Sequence, residues 1–331
     1  MAMERTSTVA RDCRACHYCW SVLSIGCAAA LSLAAVTFGA DPTRPGTKTK
    51  RPPRSLQAQR TNPDQTANSP DIADGLPGGE PADKVGNNPA ANIVEADQLP
   101  PHVHPQHPLV PALKMAYASR STLRSVRDYT AQFVKKELVG NRYITHSMDM
   151  KFREQPFSVY LRFRDPHEGR QVLFVKGGNN GNILVQEAGI KGLVGTIPIN
   201  PTDPLAMSEN RHPITEIGIS NMLETIIRQW EEEAKYGGIE VQYFPKAKLG
   251  EFPVRVIRTT YQKRFRQFRY HITQLYLDDK SLFPVRAEQF DWPQSDGEKP
   301  AQVELYMYSS VRTNQNLSDQ AFDPRTYGLG R

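Results

Sequence analysis

Cysteine is absent from most of this sequence. The chain has 331 residues and four cysteines, and all four precede residue 28. The remainder can form no disulfide, offers no thiolate nucleophile and binds no metal through sulfur. Short catalytic motifs are missing as well: there is no zinc-protease H-E-x-x-H, no serine elbow G-x-S-x-G and no Walker-type phosphate loop. These absences exclude the enzyme classes that such motifs mark.

The first forty residues contain a motif that conflicts with its position. Cys13, Cys16 and His17 have the C-x-x-C-H spacing of c-type haem attachment. They sit, however, among basic residues just before an apolar run over 20–38, which is the layout of a secretory signal. Haem is attached to the exported part of a protein, whereas this region of a signal stays on the cytoplasmic side of the membrane. We therefore predict no haem, no other cofactor, and export to the periplasm or cell envelope.

The sequence leaves the fate of residues 1–40 open. The apolar run is close to the ~20 residues that span a bilayer, so an uncleaved anchor is an alternative to a cleaved signal peptide. Gly26 before Cys27 resembles a lipoprotein cleavage box, which would give a lipidated cysteine. The apolar run continues past Cys27, and this favours an ordinary signal.

Residues 41–108 are poor in the residue types that build a core. The segment has no aromatic residue and contains 13 of the 26 prolines. Such a composition buries too little apolar surface to offset the entropy lost on ordering. We predict a disordered, proline-rich tether that is dispensable for folding. Its histidines at 102, 104 and 107 fit a solvated loop better than a metal-binding tract.

Residues 109–331 hold nearly all the aromatic residues and are predicted to form one domain. A helical pattern over 109–124 is followed by segments with alternating polarity, and Gly140-Asn141 predicts a hairpin turn. Residues 187–213 read as irregular, and 215–236 as one long amphipathic helix. Because strands outnumber helices and follow one another, we expect a mainly β (α+β) fold. Its sheet is predicted to be a curved antiparallel meander, a half-barrel with helices over the concave face.

Two apolar surfaces are candidates for the walls of a ligand cavity. In PFSVYLRFRD alternate side chains face one side of a strand, and the long helix carries a wide apolar stripe. The predicted ligand-binding residues are Phe157, Val159, Leu161 and Phe163 on the strand, with Met222, Ile226 and Trp230 on the helix.

A loop before the helix contains the best polar constellation. His212 could act as a general base with Glu216 orienting it and Arg211 beside it. No nucleophile or metal motif accompanies them, so a structural role that ties the loop to the sheet is favoured. We predict that the domain is not an enzyme and binds no metal.

Residues 263–271, KRFRQFRYH, interleave basic and aromatic residues as some nucleic-acid platforms do. A strand with a solvated, arginine-bearing face explains this pattern without a ligand. Because the chain carries an export signal, we predict no nucleic-acid partner.

Three stretches resemble a known family. They are DYTAQFVKKELVGN (128–141), FREQPFSVYLRF (152–163) and PLAMSENRHPITEIG (204–218), and the last is the most specific. They are similar to an exported bacterial family, domain of unknown function fifteen seventy-one. The resemblance implies a fold similar to that of the periplasmic carriers of outer-membrane lipoproteins, which are unclosed half-barrels with an apolar cavity. It implies no catalytic residue, since fold does not fix function.

The sequence thus predicts an exported envelope protein that binds a hydrophobic or amphiphilic ligand, such as a lipid or a lipoprotein acyl chain. We expect the protein to contact a membrane surface or another part of the cell envelope. The sequence does not determine its oligomeric state. The alternative is a non-catalytic structural or protein-interaction module with a filled core. An apolar void of about 300 Å³ or more between sheet and helix distinguishes the two.

Overall fold

The computed structural model describes residues 99–295 and 297–329. The predicted signal segment and residues 41–98 of the predicted tether lie outside these ranges. Within the described residues the helices are α1 (Val110–Leu123), α2 (Pro204–Met207) and α3 (Ile219–Glu233). None of the helices in that part of the chain is long and apolar enough to cross a membrane.

The strands form one sheet. Their bounds are β1 (Asp128–Val139), β2 (Arg142–Arg153), β3 (Ser158–Asp165), β4 (Gln171–Val175), β5 (Ile183–Gln186), β6 (Ile197–Ile199), β7 (Ile239–Leu249), β8 (Phe252–Tyr261), β9 (Ile272–Asp278), β10 (Pro284–Phe290) and β11 (Gln302–Thr313).

The sheet is antiparallel and open. Its strand order is β6-β5-β4-β3-β2-β1-β11-β10-β9-β8-β7, so every neighbour is sequential except the central pair β1 and β11. In that pair Tyr129 lies opposite Thr313 and Glu137 opposite Glu304. β6 and β7 form the two edges and do not pair with each other. The predicted mainly β fold, an antiparallel meander that does not close into a barrel, is confirmed.

The main core lies between one face of this sheet, which we call the inner face, and helices α1 and α3. Aromatic rings of neighbouring strands stack there: Tyr129 on Phe152 at 4.8 Å and Phe133 on Tyr308 at 4.7 Å between centroids. Trp230 of α3 is fully buried among them. Burial of this apolar surface is the largest favourable contribution to folding.

The outer face of the sheet is not wholly solvated. Tyr160, which alternates along β3 with the inward-facing Leu161, stacks on Tyr327 with 3.8 Å between ring centroids. The C-terminal turns Asp319–Phe322 and Pro324–Tyr327 cover this part of the sheet, and Phe322 and Leu329 are buried against it. The chain's end therefore protects outer-face apolar side chains of β3, β4 and β5.

The predicted strand over the basic-aromatic segment is wrong. β8 ends at Tyr261 and β9 begins at Ile272, so residues 262–271 form a loop. Phe268 is buried in it and stacks on Tyr261, with 4.3 Å between ring centroids, while the segment from 262 to 267 is exposed. Phe268 therefore packs into the core from a loop and not from a strand.

The long helix is shorter than predicted. Residues Ile214–Glu216 form a separate 3-10 turn, and α3 begins only at Ile219. Gly218 lies between the 3-10 turn and α3 and has a φ of 121°, which residues with a side chain rarely adopt. A Cβ at this position would lie 2.7 Å from Cε2 of Phe152, so the helix start can approach the sheet closely only with glycine.

The folded region begins before residue 109. Val103 and Leu109 are buried in the core, which extends the domain into the last ten residues of the predicted tether. His102 Nε2 lies 2.9 Å from the carbonyl oxygen of Glu231, and His107 Nε2 lies 2.7 Å from that of Tyr236. These histidines thus satisfy carbonyl groups in and just after the last turn of α3.

We expect a chain that begins at residue 109 to melt at least about 5 °C below the full chain. It loses the burial of Val103, worth roughly 1.5–3 kcal/mol at full burial, and two hydrogen bonds of about 1 kcal/mol each. For a domain of this size each kcal/mol shifts Tm by roughly 2–4 °C. A chain that begins at residue 99 is the matched control and should melt like the full chain. Equal melting temperatures for the two truncated chains would contradict the boundary.

Candidate cavity between the sheet and helix α3

An apolar cavity of about 360 Å³ lies between the inner face of the sheet and the first half of α3. Ligand pockets typically enclose about 300–1,000 Å³. The walls are largely aliphatic and aromatic, and include Phe133, Met148, Leu161, Phe163, Val172, Ile183, Val185, Ile197, Ile199, Leu205, Ile214, Ile217, Met222, Ile226 and Tyr308. The sheet and helix therefore do not fill the space between them.

Four of the predicted ligand-binding residues line this cavity. Leu161 and Phe163 point inward because they alternate with exposed Arg162 along β3. Met222 and Ile226 lie one turn apart on the same face of α3. Alternation and helical spacing were sufficient to place these side chains.

The other three belong to the packed core instead. Val159 and Trp230 are fully buried, and Phe157 packs partly buried against the same core, but none of them lines the cavity. For Trp230 the reason is the course of helix α3. Its C-terminal half lies against the sheet, whereas the cavity opens beside its N-terminal half.

Two tyrosine hydroxyls anchor the N-terminus of α3. Tyr129 Oη accepts from the Ile219 N–H at 3.0 Å, and Tyr308 Oη accepts from the Gly218 N–H at 3.3 Å. They pair two backbone donors that a helix start otherwise leaves without partners. This fixes the wall that carries Met222 relative to the sheet.

The loop candidates tie the segment before α3 to the sheet. Arg211 Nη1 donates to the Leu138 carbonyl at 2.7 Å, and its Nε donates to Glu304 at 2.8 Å. His212 Nε2 lies 3.2 Å from the same Glu304 carboxylate, and its Nδ1 lies 3.1 Å from Glu216. His212 and Glu216 line the cavity, whereas Arg211 does not.

The hydrogen bonds of this cluster shift the pKa values of its members. Hydrogen bonding to Glu304 raises the pKa of His212 despite the opposing effect of burial. Burial pushes the pKa of Glu304 up, but the bonds from His212, Tyr270 and Arg211 outweigh it and the net pKa is lowered. The bonds of Arg211 and His212 hold this loop against the sheet, and His212, Glu216 and Glu304 place polar groups at the cavity wall.

A second polar cluster lies at the cavity where β1 and β2 meet the same loop. Lys135 Nζ donates to Glu137 at 2.9 Å and to Asn210 Oδ1. Arg170 Nη1 donates to Glu209 at 2.8 Å. His146 stands between them, buried and on the cavity wall.

The charge states in this cluster differ from residue to residue. Burial and the nearby Lys135 charge lower the pKa of His146 to about 3, so its ring is neutral near pH 7. The pKa of Glu209 is lowered, because the bond from Arg170 and the surrounding positive charges outweigh its burial. Burial lowers the pKa of Lys135 against the effect of Glu137.

In the sequence His146 alternates with polar positions as Met148, Met150 and Phe152 do, and nothing there marks it as part of a site. His146, His167 and Glu209 are far apart in the chain and come together only in the fold, so no spacing motif marks them. A single polar residue in the apolar row Met148, Met150, Phe152 was the only local signal.

Exposed aliphatic side chains lie in the chain between Glu187 and Ile197, two residues that line the cavity. Ile190, Leu193 and Val194 are 87%, 86% and 77% exposed in the 3-10 segment Gly189–Val194. Further along the same loop, Ile197 and Leu205 are exposed and also line the cavity. Apolar surface thus continues from the interior to the outside of the domain.

The sequence of the domain matches one family over most of its length. Residues 126–327 match the family described as "Protein of unknown function (DUF1571)". The chain belongs to the DUF1571 family. This confirms the family predicted from the sequence, and the match spans β1 to the C-terminal turns of the DUF1571 domain. No curated protein matches the chain.

Several solved structures are similar to this DUF1571 protein in part. One is a putative outer membrane lipoprotein-sorting protein domain from Vibrio parahaemolyticus, with 12% identity over 65% of this chain and 97% of that one, and a TM-score of 0.32. Another is the lipoprotein LppX from Mycobacterium tuberculosis, with 14% identity over 65% and 100% of the two chains and a TM-score of 0.37. A LolA superfamily protein from Nitrosomonas europaea has 12% identity, coverage of 65% and 98%, and a TM-score of 0.28.

Proposed function

We propose that this DUF1571 protein is an exported envelope protein that binds the apolar part of a hydrophobic or amphiphilic ligand in the cavity. A lipid or a lipoprotein acyl chain is the ligand class that fits. The single observation that carries the proposal is a void of about 360 Å³ whose walls are mainly apolar. A simple structural module would fill this space, because protein interiors pack at high density.

The character of the walls supports a flexible apolar ligand. Leu161, Phe163, Met222 and Ile226 offer no hydrogen bond, so they contribute through burial of apolar area in proportion to chain length. Met222 has an unbranched thioether side chain that adapts to varied shapes. The polar clusters at Glu304 and Glu209 stand at the same cavity and can meet the polar end of an amphiphile.

The exposed aliphatic loop supports exchange of that ligand with a membrane surface. Ile190, Leu193 and Val194 present apolar side chains to solvent in a segment that lies between the cavity-lining residues Glu187 and Ile197. Contact with a lipid surface would remove these side chains from water. Export follows from the N-terminal segment, whose sequence has the layout of a secretory signal. The function we infer is binding without catalysis.

We expect Met222→Glu to weaken binding of a fluorescent fatty-acid probe at least tenfold, which corresponds to about 1.4 kcal/mol. An unpaired carboxylate in an apolar cavity is costly, and it must take up a proton or admit water. Met222→Leu preserves volume and apolarity and should bind as the wild type does. Titration of the probe measured by fluorescence, with folding checked by circular dichroism, gives the comparison.

A steric variant separates loss of binding from loss of folding. Ala206 lines the cavity from α2, outside the main core, so Ala206→Trp should occupy part of the cavity without disturbing the sheet. We expect it to weaken probe binding while the melting temperature is retained. If the folded wild type binds no such probe, or if Ala206→Trp and Met222→Glu bind it as tightly as wild type, the cavity is not the ligand site. A structural or protein-interaction role would then be the better account.

A further inference from the structure

The buried ring of His146 has no hydrogen-bond partner. Its side chain is 1% exposed, and neither Nδ1 nor Nε2 bonds to another protein group. Buried polar atoms in proteins are nearly always paired, so an unpaired ring at a cavity wall calls for a ligand. An imidazole nitrogen with a free lone pair is also the commonest metal ligand in proteins.

Two further donor groups face this ring. Glu209 Oε2 lies 3.7 Å from His146 Nε2, and Glu209 Oε1 lies 3.8 Å from His167 Nε2. Ligand atoms of all three residues lie within 4.8 Å of one another. His167 and Glu209 are partly exposed, so small rotations of their side chains can bring the three atoms to bonding distance of one ion.

The carboxylate is oriented from outside the cluster. Arg170 Nη1 donates to Glu209 Oε2 at 2.8 Å, and Arg170 Nη2 lies 2.7 Å from Glu187 Oε1. Hydrogen bonds of this kind commonly fix the carboxylates that bind metal ions. They leave Glu209 Oε1 directed towards His167.

The local charge balance is compatible with a cation. Lys135 and Arg170 contribute two positive charges, and Glu137, Glu187 and Glu209 contribute three negative ones, which leaves a net charge of −1. Each cation already has a carboxylate partner at 2.7–2.9 Å. These two side chains are therefore committed to internal pairs rather than free to form an anion site.

We propose that His146, His167 and Glu209 bind a divalent transition-metal ion, of the zinc class, at the polar wall of the cavity. Two imidazole nitrogens and one carboxylate oxygen are ligands that zinc and its neighbours in the first transition row accept. Three protein ligands leave a coordination position open. His146 and Glu209 line the cavity, so that position faces the space where the polar end of a bound amphiphile would lie.

Titration with Co²⁺ tests this site in the full chain. The four cysteines before residue 28 are first alkylated, so that thiolates do not compete for the ion. Wild type is expected to bind one Co²⁺ with visible ligand-field absorption, and Zn²⁺ is expected to displace it. His167→Gln and Glu209→Gln should each weaken Co²⁺ binding at least tenfold. Both side chains are about one third exposed, so neither variant should fail to fold.

His104→Gln is the matched control, because it removes an exposed histidine of the 102–107 segment far along the chain from the three ligands. It should bind Co²⁺ as the wild type does. Wild-type affinity in both His167→Gln and Glu209→Gln, or no Co²⁺ binding by the wild type, would overturn the proposal. The fatty-acid probe is absent from this titration, so its outcome is independent of whether the cavity binds acyl chains.

Discussion

Trp230→Ala is expected to lower the free energy of unfolding by about 3–5 kcal/mol, the usual cost of removing a large aromatic side chain from a core. Trp230 is fully buried in the C-terminal half of α3, where the helix packs against the sheet. Truncation leaves a void that the surrounding aromatic rings cannot close. Urea unfolding followed by circular dichroism measures the change.

Met222→Ala provides the contrast on the same helix. Met222 lies beside an existing void, so its truncation enlarges a cavity instead of creating one in packed surroundings. We expect a loss of about 2 kcal/mol or less, at the lower end of the range for methionine truncations. Equal losses for the two variants would show that both halves of α3 are packed in the same way.

Glu233→Gln is expected to stabilise the domain at pH 8 by up to about 3 kcal/mol and to have little effect near pH 4.5. Burial raises the pKa of Glu233 to about 7 from an unfolded value of 4.5, against the lowering effect of its bonds from Tyr261 and Gln229. A carboxyl whose folded pKa is raised gives stability that is present at low pH and lost as pH rises through the folded value. The wild-type domain therefore loses this stability between about pH 4.5 and pH 7. Glutamine does not ionise in this range, so the Glu233→Gln variant does not lose it.

Glu232→Gln is the matched control for this prediction. Glu232 is the preceding residue, with its side chain 61% exposed and paired to Lys235, so its replacement should change stability by no more than about 0.5 kcal/mol at either pH. Thermal unfolding of the wild type and both variants at the two pH values measures these differences in stability. The raised pKa of His212 also makes the domain less stable as pH rises. This effect is the same in the wild type and in both variants, so it cancels in the comparison. A wild type and Glu233→Gln that differ by the same amount at both pH values would contradict the assignment.

The sheet could be predicted from the sequence because its strands alternate regularly. Val159, Leu161 and Phe163 are buried as their period-two spacing requires, and the hairpin at Gly140-Asn141 connects β1 to β2. Helix α3 was recognisable from its apolar stripe, although its start was placed too early. Local periodicity carries this information, so no knowledge of tertiary contacts was needed.

The cavity and its borders could not be predicted in the same way. Residues 187–213 have no periodicity, and the three-residue strand β6 within them forms only through pairing with β5. Whether an inward residue of α3 meets packed core or open space depends on the path of the helix across the sheet. The His146 cluster depends on three chain segments that only the fold brings together.

The central position of the β1–β11 pair has a consequence for when the domain can complete its fold. Tyr129 and its partner Thr313 belong to the first and last strands of the domain, so the sheet cannot be completed until almost the whole chain is available. The halves β1–β6 and β7–β11 each end in an unpaired strand until then. Pairing across such a sequence separation is slow to form. A chain that is still being synthesised therefore lacks the contact that joins its two halves, and the topology itself delays completion of the sheet until β11 has been made.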